Sequence, residues 1–118
     1  MWLFYNSKDI AIQGGYYKSA YTLFYGNVYD HWGESRYEGS TLTTYRYVFG
    51  GGYGNGQYMK NNAASVQNCA PDDNYRVYYK SGYGGTAQYF AKNEPFGDCN
   101  ITNLISALKN NNASSHFA

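Results

Sequence analysis

The pattern of apolar and polar positions predicts an all-β chain, built from short strands that glycine-rich turns separate. Residues 41–49 are β-branched and aromatic almost throughout, which is the clearest strand signal in the chain. Residues 75–80 and 86–91 predict a second antiparallel pair, joined by a hairpin turn at 81–85. Residues 2–7 predict one aromatic strand, and residues 16–29 alternate only partially, which indicates one or two strands.

The segments between these strands are rich in turn-forming residues and predict loops. Residues 50–56 contain five glycines, too many for a strand. For the remaining segments we predict a hairpin turn at 9–15, a polar loop at 31–40, a linker at 69–74, a loop at 93–103 and a short helical turn at 102–109. In that helical turn, Leu104, Ile105 and Leu108 are expected to face inward.

The chain contains an internal repeat, because two of its segments occur twice in the same order. Residues 3–7 resemble residues 77–81 at an offset of 74, and residues 61–65 resemble residues 110–114 at an offset of 49. The first half then carries 25 more residues than the second, which we place between residues 8 and 40. A rival register at an offset of 62 is less favoured, because only the first register places a Gly-Gly pair after the strand in both halves.

Length and composition predict one small β-sandwich. A chain of 118 residues forms one domain, or two closely packed halves of one, and we expect a monomer. Sixteen Tyr and fourteen Gly favour half-buried strands and tight turns, and the paucity of charge is typical of a secreted, extracellular protein. With a net charge of +1 and no long apolar run or basic amphipathic helix, we expect neither a nucleic-acid nor a membrane partner.

The two cysteines leave two readings open. In an oxidising compartment Cys69 and Cys99 would form a disulfide that ties the linker to the second half. The closed loop of about 30 residues would contribute on the order of 3 kcal/mol to stability. The alternative is two buried free thiols. Neither a CxxC motif nor a Cys/His ligand spacing is present, so a structural zinc site is not expected.

Residues 78–85, 110–115 and 61–65 carry a resemblance to a known family. The first segment looks like the folded hairpin of a βγ-crystallin Greek key, and the other two look like its terminal Asn-Asn motif. Within that family the chain is most similar to the small secreted actinobacterial branch that is classed with peptidase inhibitors. The resemblance implies a two-Greek-key β-sandwich, with a first key at 1–68, an aromatic insertion at about 8–40, a linker at 69–74 and a second key at 75–118.

The same resemblance implies two candidate calcium sites. Carried over, the ligands are Asn62 and Ser65 with the Lys80 carbonyl, and Asn111 and Ser114 with the Asn6 carbonyl. Ca²⁺ prefers six to eight oxygen ligands, but Lys80 brings a positive charge and asparagines bring no negative one, so such sites would be weak and no cofactor is required. The alternative is that Asn and Ser side chains hold the turns through hydrogen bonds to the backbone.

Catalytic chemistry finds little support in the sequence. His31 is expected in a solvated loop and His116 at a frayed terminus, and neither lies in a nucleophile motif such as GxSxG. The carboxylates Asp30 and Glu34 are expected to be solvated, without the separation of pKa values that a general acid and base need. The glycine run at 50–56 lacks the Lys-Ser/Thr end of a phosphate loop. We therefore expect a protein that is not an enzyme.

The aromatic insertion supplies the candidate binding surface, because Tyr and Trp give large contact areas at low entropic cost. Its candidate contact residues are Tyr16, Tyr17, Tyr21, Tyr25, Tyr29 and Trp32. The alternative is that these rings cover the sheets as core and rim. By resemblance, the expected function is inhibition of a secreted protease. The alternatives are a calcium-stabilised structural or stress protein, and an antifungal or carbohydrate-binding, toxin-like module.

Overall fold

The computed structural model describes residues 1–93 and 99–118, and it confirms the prediction of an all-β chain. Its elements in chain order are β1 (Trp2–Phe4), α1 (Lys8–Ala11), β2 (Ile12–Gln13), β3 (Tyr16–Tyr17), β4 (Tyr21–Leu23), β5 (Gly33–Glu38), β6 (Thr41–Arg46), β7 (Ser65–Gln67), β8 (Tyr75–Lys80), β9 (Gly84–Phe90), β10 (Thr102–Asn103) and β11 (Ser114–Phe117). Across these ranges, no helix has the length and apolar character needed to span a membrane.

Two antiparallel sheets form the body of the molecule, an arrangement compatible with a β-sandwich. The first sheet has the strand order β10-β7-β1-β4, and the second has the order β11-β8-β9. The strands β2 and β3 form a small hairpin, and β5 and β6 form a longer one. Each half of the chain therefore contributes a central strand, β1 or β8, between two antiparallel neighbours.

The strand pairings of the two halves follow the offsets of 74 and 49 that the sequence repeat predicts. In the first sheet, Leu3 pairs with Val66 and Phe4 pairs with Ser65. In the second, the residues 74 and 49 positions later pair in the same way: Val77 with Ser115 and Tyr78 with Ser114. The two halves are thus equivalent in strand register.

Each half also lends one strand segment to the sheet of the other half. Thr102, in the second half, pairs with Val66 at the edge of the first sheet. Val28, in the first half, forms the equivalent bridge with Ser115 at the edge of the second sheet. This exchange fastens the halves together through backbone hydrogen bonds.

The exchanged segments locate the extra length of the first half. Val28 precedes Val66 by 38 residues, whereas Thr102 precedes Ser115 by 13, a difference of 25. The additional residues therefore lie between Val28 and Val66, and they include the β5–β6 hairpin. The predicted placement at 8–40 overlaps this range only over residues 28–40, because the longer connection between β1 and β4 is offset by a shorter one between β4 and Val28.

One local prediction was wrong and two were confirmed only in part. The predicted loop at 31–40 contains β5, a solvent-exposed strand with no apolar alternation to reveal it. Of the predicted hairpin turn at 9–15, the Gly14-Gly15 end is confirmed as the turn that joins β2 to β3, whereas the residues before Ile12 belong to α1. In the segment at 102–109, the Lys109 N–H donates to the Ile105 carbonyl oxygen, as in a helical turn, and Leu104 and Leu108 are buried as predicted. Ile105, which was expected to face inward, is exposed.

The main core joins side chains of both sheets. It is a single cluster of aromatic and aliphatic residues, and its largest fully buried side chains are Leu3, Phe49, Met59, Val66, Tyr75, Val77 and Leu108. A smaller cluster of Phe4, Ala11 and Ile101, flanked by Trp2, lies on the outer side of the first sheet. Cys69 and Cys99 form a disulfide, so the first of the two readings of the cysteines is confirmed.

Candidate functional site

The six aromatic residues proposed as a binding surface are all exposed, with exposed fractions from 38% for Trp32 to 85% for Tyr25. They do not form one patch. Tyr17 and Tyr21 line a groove on the outer side of the first sheet, and Tyr16 precedes Tyr17 on β3. Tyr25 packs edge-on against Phe117, with ring centroids 6.2 Å apart. Tyr29 and Trp32 line a separate cleft beside the β5–β6 hairpin.

The groove on the first sheet has aromatic walls and one amide. Trp2 and Tyr21 lie 4.9 Å apart between ring centroids, and the groove encloses about 560 Å³. The Gln67 amide donates to the Cys99 carbonyl oxygen at 2.8 Å and is also bonded to the Tyr17 hydroxyl. The polar group of the groove is therefore already engaged by the protein itself.

The β5–β6 hairpin, here called the arm (residues 33–46), stands off both sheets. In the part of the chain that the structure describes, its strands pair with each other and with no other strand. Cross-strand partners share one side of a ribbon. Glu34, Arg36 and Glu38 therefore lie on a charged side, while Tyr37 pairs with Leu42 on the opposite side.

The arm was not predicted from the sequence as a unit, because only its second strand lies within the predicted strand at 41–49. Tyr37 and Leu42 are exposed by 74% and 56%, which makes their pair an apolar contact point near the tip. The alternation of Glu34, Arg36 and Glu38 was the one available signal, because a period of two in charge also indicates a strand.

The base of the arm is stiffened by Arg46. Its guanidinium lies 4.2 Å from the ring centroid of Trp32 and 3.8 Å from that of Tyr58, within the range of favourable cation–π contact. Its Nε–H also donates to the Trp32 carbonyl oxygen at 3.0 Å. Gly33 has a φ of 145° and abuts the carbonyl oxygen of Tyr45, where any Cβ would collide with the backbone. The contacts of Arg46 and Gly33 therefore fix the direction in which the arm leaves the body.

A cleft of about 450 Å³ lies at this base. It is lined by Asn27, Val28, Tyr29, Asp30, Trp32, Gly33, Glu34, Ser35, Tyr47 and Tyr83. Partial burial alone would raise the pKa of the Asp30 carboxyl group. The hydrogen bond from the Trp32 N–H, at 2.9 Å, and the ion pair with Lys60, at 3.0 Å, nevertheless hold that pKa below its usual value. Burial and the nearby Glu34 carboxylate raise the pKa of the Tyr47 phenol.

His31 is buried completely, so its prediction as a solvated loop residue was wrong. Its ring stacks on Phe24, with 5.5 Å between centroids. The Asn112 amide nitrogen lies 2.9 Å from Nδ1, and the Ser115 hydroxyl lies 3.0 Å from Nε2. Because the amide can only donate, Nδ1 accepts and Nε2 carries the hydrogen. Burial lowers the pKa of His31 to about 3, although the Asp30 carboxylate opposes that shift.

Burial excludes His31 and Ser115 as a nucleophilic pair, since both are closed off from solvent and from any substrate. The other histidine, His116, lies in β11 and packs against Tyr83 at 4.5 Å between centroids. Its expected place in a frayed terminus was also wrong, because the pairing of β11 with β8 holds it.

The candidate calcium ligands instead form matching hydrogen bonds within each half. The Ser65 hydroxyl donates to the Asn6 carbonyl oxygen at 2.7 Å, and the Ser114 hydroxyl donates to the Lys80 carbonyl oxygen at 2.6 Å. These serine contacts lie within each half, because β7 pairs with β1 and β11 pairs with β8, whereas the resemblance implied carbonyls exchanged between the halves. Each serine thus fastens the chain that leaves its own central strand.

The asparagines of the two motifs also repeat their contacts. The Asn62 side chain donates to the Tyr58 carbonyl oxygen, and the Asn111 side chain donates to the equivalent Ala107 carbonyl oxygen. These are the backbone contacts that the alternative reading of the motifs predicts. Two lysines, Lys60 and Lys80, line a second cleft, beside Asn111 and apart from the one at the base of the arm. The positive charge of their ammonium groups opposes a cation there.

We expect both serine hydroxyls to stabilise the fold. Replacing Ser65 or Ser114 by Ala leaves a backbone carbonyl without its partner, and each change should lower the free energy of unfolding by about 1–3 kcal/mol. Ser114→Ala should cost more, because the Ser114 hydroxyl also accepts from the Tyr83 N–H at 3.1 Å. Urea denaturation measures both, with the exposed Ser35→Ala as a control that should change stability by less than about 0.5 kcal/mol. Equal stability of all three variants would contradict this role.

We expect millimolar Ca²⁺ to leave the melting temperature unchanged, because the serine hydroxyls are already bonded and lysines flank the second motif. A site filled at 100 times its Kd would add about 2.7 kcal/mol of stability, which thermal denaturation detects easily. Stabilisation by Ca²⁺ that Mg²⁺ does not reproduce, and that Ser114→Ala removes, would restore the calcium hypothesis.

We expect the free energy of unfolding to decrease as the pH is lowered, because of His31. Its pKa in the folded protein lies below the ordinary value of 6.5, so the unfolded chain takes up the proton first. Stability should therefore drop by about 1.4 kcal/mol per pH unit as pH falls below 6.5 towards the folded pKa. Between pH 6.5 and 5, denaturation of wild type and of His31→Gln should show this slope only in the wild type. Nitrogen NMR of the native ring provides a second measurement, and a ring protonated at pH 5 would refute the assignment.

Comparison of the chain with protein-family models, with curated proteins and with solved structures finds no match.

Proposed function

We propose that the chain is a two-Greek-key β-sandwich of βγ-crystallin type, and that it acts as a secreted, non-enzymatic inhibitor of a protease. The strand pairing supports the fold. The two halves share one register at offsets of 74 and 49, and each lends an edge segment to the other's sheet. In a Greek key a long connection returns the last strand to lie beside the first, as β7 lies beside β1.

The observation that carries the function is the arm. A protein inhibitor binds tightly when its contact segment is rigid before binding, because little conformational entropy is then lost. The arm projects its Tyr37–Leu42 pair away from the body, while Arg46, stacked between Trp32 and Tyr58, holds its base. Exposed aromatic and aliphatic side chains on a rigid support are typical of interface hot spots.

The disulfide supports secretion. Disulfides persist in oxidising compartments, and the bond between Cys69 and Cys99 closes a segment with a sequence separation of 30. In an external medium that contains proteases, this cross-link and the exchanged edge segments would both resist unfolding. Resistance to local unfolding is what keeps an inhibitor from becoming a substrate.

A non-enzymatic role is favoured by the state of the titratable groups near the arm. His31 is buried and neutral, and Asp30 is committed to Lys60 and to the Trp32 N–H. Neither arrangement leaves a proton donor or acceptor poised towards a bound substrate. The groups instead hold the arm in place.

Carbohydrate binding is the second candidate function, and the groove on the first sheet favours it. Trp2, Tyr17 and Tyr21 offer aromatic surfaces on which a sugar ring could stack. The groove is the weaker candidate, because the amide of Gln67 is already bonded within the protein and leaves few polar groups to select a sugar.

We expect the oxidised protein to inhibit one class of secreted protease, serine- or zinc-dependent, at sub-micromolar concentration. Truncating the apolar pair at the arm's tip, with Tyr37→Ala and Leu42→Ala together, should weaken inhibition by at least tenfold, as loss of an interface hot spot does. Tyr16→Ala is the matched control, because Tyr16 is exposed by 71% against 74% for Tyr37 but lies on β3. Inhibition constants measured against a panel of purified proteases test both statements.

Two outcomes would count against the proposal. Absence of inhibition across the whole panel would remove the inhibitor function and leave carbohydrate binding as the better candidate. Inhibition that the tip variant retains in full, while Tyr16→Ala weakens it, would move the contact surface from the arm to the β2–β3 hairpin.

A further inference from the structure

We propose that the cleft at the base of the arm binds an organic cation, namely the ammonium or guanidinium group of a Lys or Arg side chain presented by a partner protein. That the cation belongs to a partner protein rests on the proposed function, in which the partner docks in the angle between the arm and the body. Binding of the cation itself depends only on the residues that line the cleft.

Aromatic rings form the walls of this cleft. Tyr29 and Tyr83 meet edge-to-face, with 5.7 Å between their centroids, and Trp32 and Tyr47 complete the lining. The faces of aromatic rings carry negative electrostatic potential and attract cations. Several rings around one space are therefore suited to an alkylammonium or guanidinium group.

The rings are fixed in position before any ligand arrives. Tyr83 packs against His116 at 4.5 Å and against Tyr78 at 6.0 Å. Tyr29 covers Gly82, where an added Cβ would approach the phenol ring to 3.1 Å. The backbone N–H of Trp32 donates to the Asp30 carboxylate, and the guanidinium of Arg46 packs on the Trp32 ring. A fixed site loses little entropy on binding.

The charge of the cleft comes from Glu34. Of the two carboxylates in the lining, Asp30 is neutralised by Lys60 at 3.0 Å. Glu34 lies 3.6 Å from Arg36, but both side chains are at least half exposed, and such a pair contributes little. Among the lining residues there is no Lys or Arg. Glu34 is thus the anion available to a bound cation.

A cation–π contact of this kind already exists beside the cleft, within the chain itself. The guanidinium of Arg46 lies 4.2 Å from the ring centroid of Trp32, and Trp32 lines the cleft whereas Arg46 does not. A neutral sugar could also stack on these rings, yet it would gain nothing from the charge of Glu34. Charge dependence therefore distinguishes the two ligand classes.

The test is an NMR titration of the oxidised full chain with Nα-acetyl-lysine amide and Nα-acetyl-arginine amide. The chain has two tryptophans, so the indole N–H of Trp32 should shift while that of Trp2 stays in place as an internal reference. Nα-acetyl-norleucine amide, which matches the lysine side chain but lacks the charge, should bind at least fivefold more weakly. Glucose should cause no shift of the Trp32 signal.

Two glutamate variants provide the matched comparison. Glu34→Gln removes the anion of the cleft and should weaken binding of the lysine amide by about five- to tenfold. Glu38→Gln is the control, because Glu38 lies on the same strand and the same charged side but outside the cleft. It should bind the lysine amide as the wild type does. Both positions are exposed, so both variants should fold.

The inference is overturned if the norleucine amide binds as tightly as the lysine amide, if the two glutamate variants bind alike, or if glucose alone shifts the Trp32 signal. These results are separate from protease inhibition. A protein that inhibits a protease but does not bind the cations would keep the proposed function and lose this site. One that binds the cations without inhibiting any protease would keep the site and lose the proposed function.

Discussion

The contacts of one buried side chain, the amide of Asn112, hold the two halves of the chain in register. Its nitrogen donates to the Met59 carbonyl oxygen and to His31, and its oxygen accepts from the Ala63 N–H. Its backbone carbonyl oxygen also accepts from the Asn61 N–H at 2.9 Å. Every hydrogen-bonding group of the side chain is thus used. Because an unpaired buried amide is costly, any slip between the halves would be strongly opposed.

The same contacts support the arm, although the arm has no core of its own. His31 is locked by Asn112 and Ser115, and the chain then passes through Trp32 into the first strand of the arm. The base of the arm is therefore held in place because it directly follows the buried His31 in the chain. The two halves repeat each other in register and in their serine contacts, and the arm lies in the part of the first half that has additional residues. The proposed binding role thus falls on the arm and the stabilising contacts on the duplicated frame, in keeping with functional sites being additions to a fold.

The fold was predictable wherever a strand is half-buried and its partner is close in sequence. The predicted strand at 75–80 has the same bounds as β8, because its inward residues Tyr75 and Val77 alternate with outward ones. The repeat offsets were readable because equivalent strands carry similar residues. The β5 strand was not predictable in this way, since both of its sides face solvent and no apolar alternation marks it.

The sequence by itself determined the all-β class, the duplication and an aromatic, lightly charged surface, because these follow from local alternation and composition. Only the tertiary structure decided that the six exposed aromatics are dispersed and that the cleft brings Tyr83 together with Trp32 and Glu34 from a distant segment. It also decided that His31 is buried, through partners more than 80 positions away in the chain. From sequence alone a polar side chain is expected to be solvated. It can be buried only where long-range packing supplies its hydrogen-bond partners.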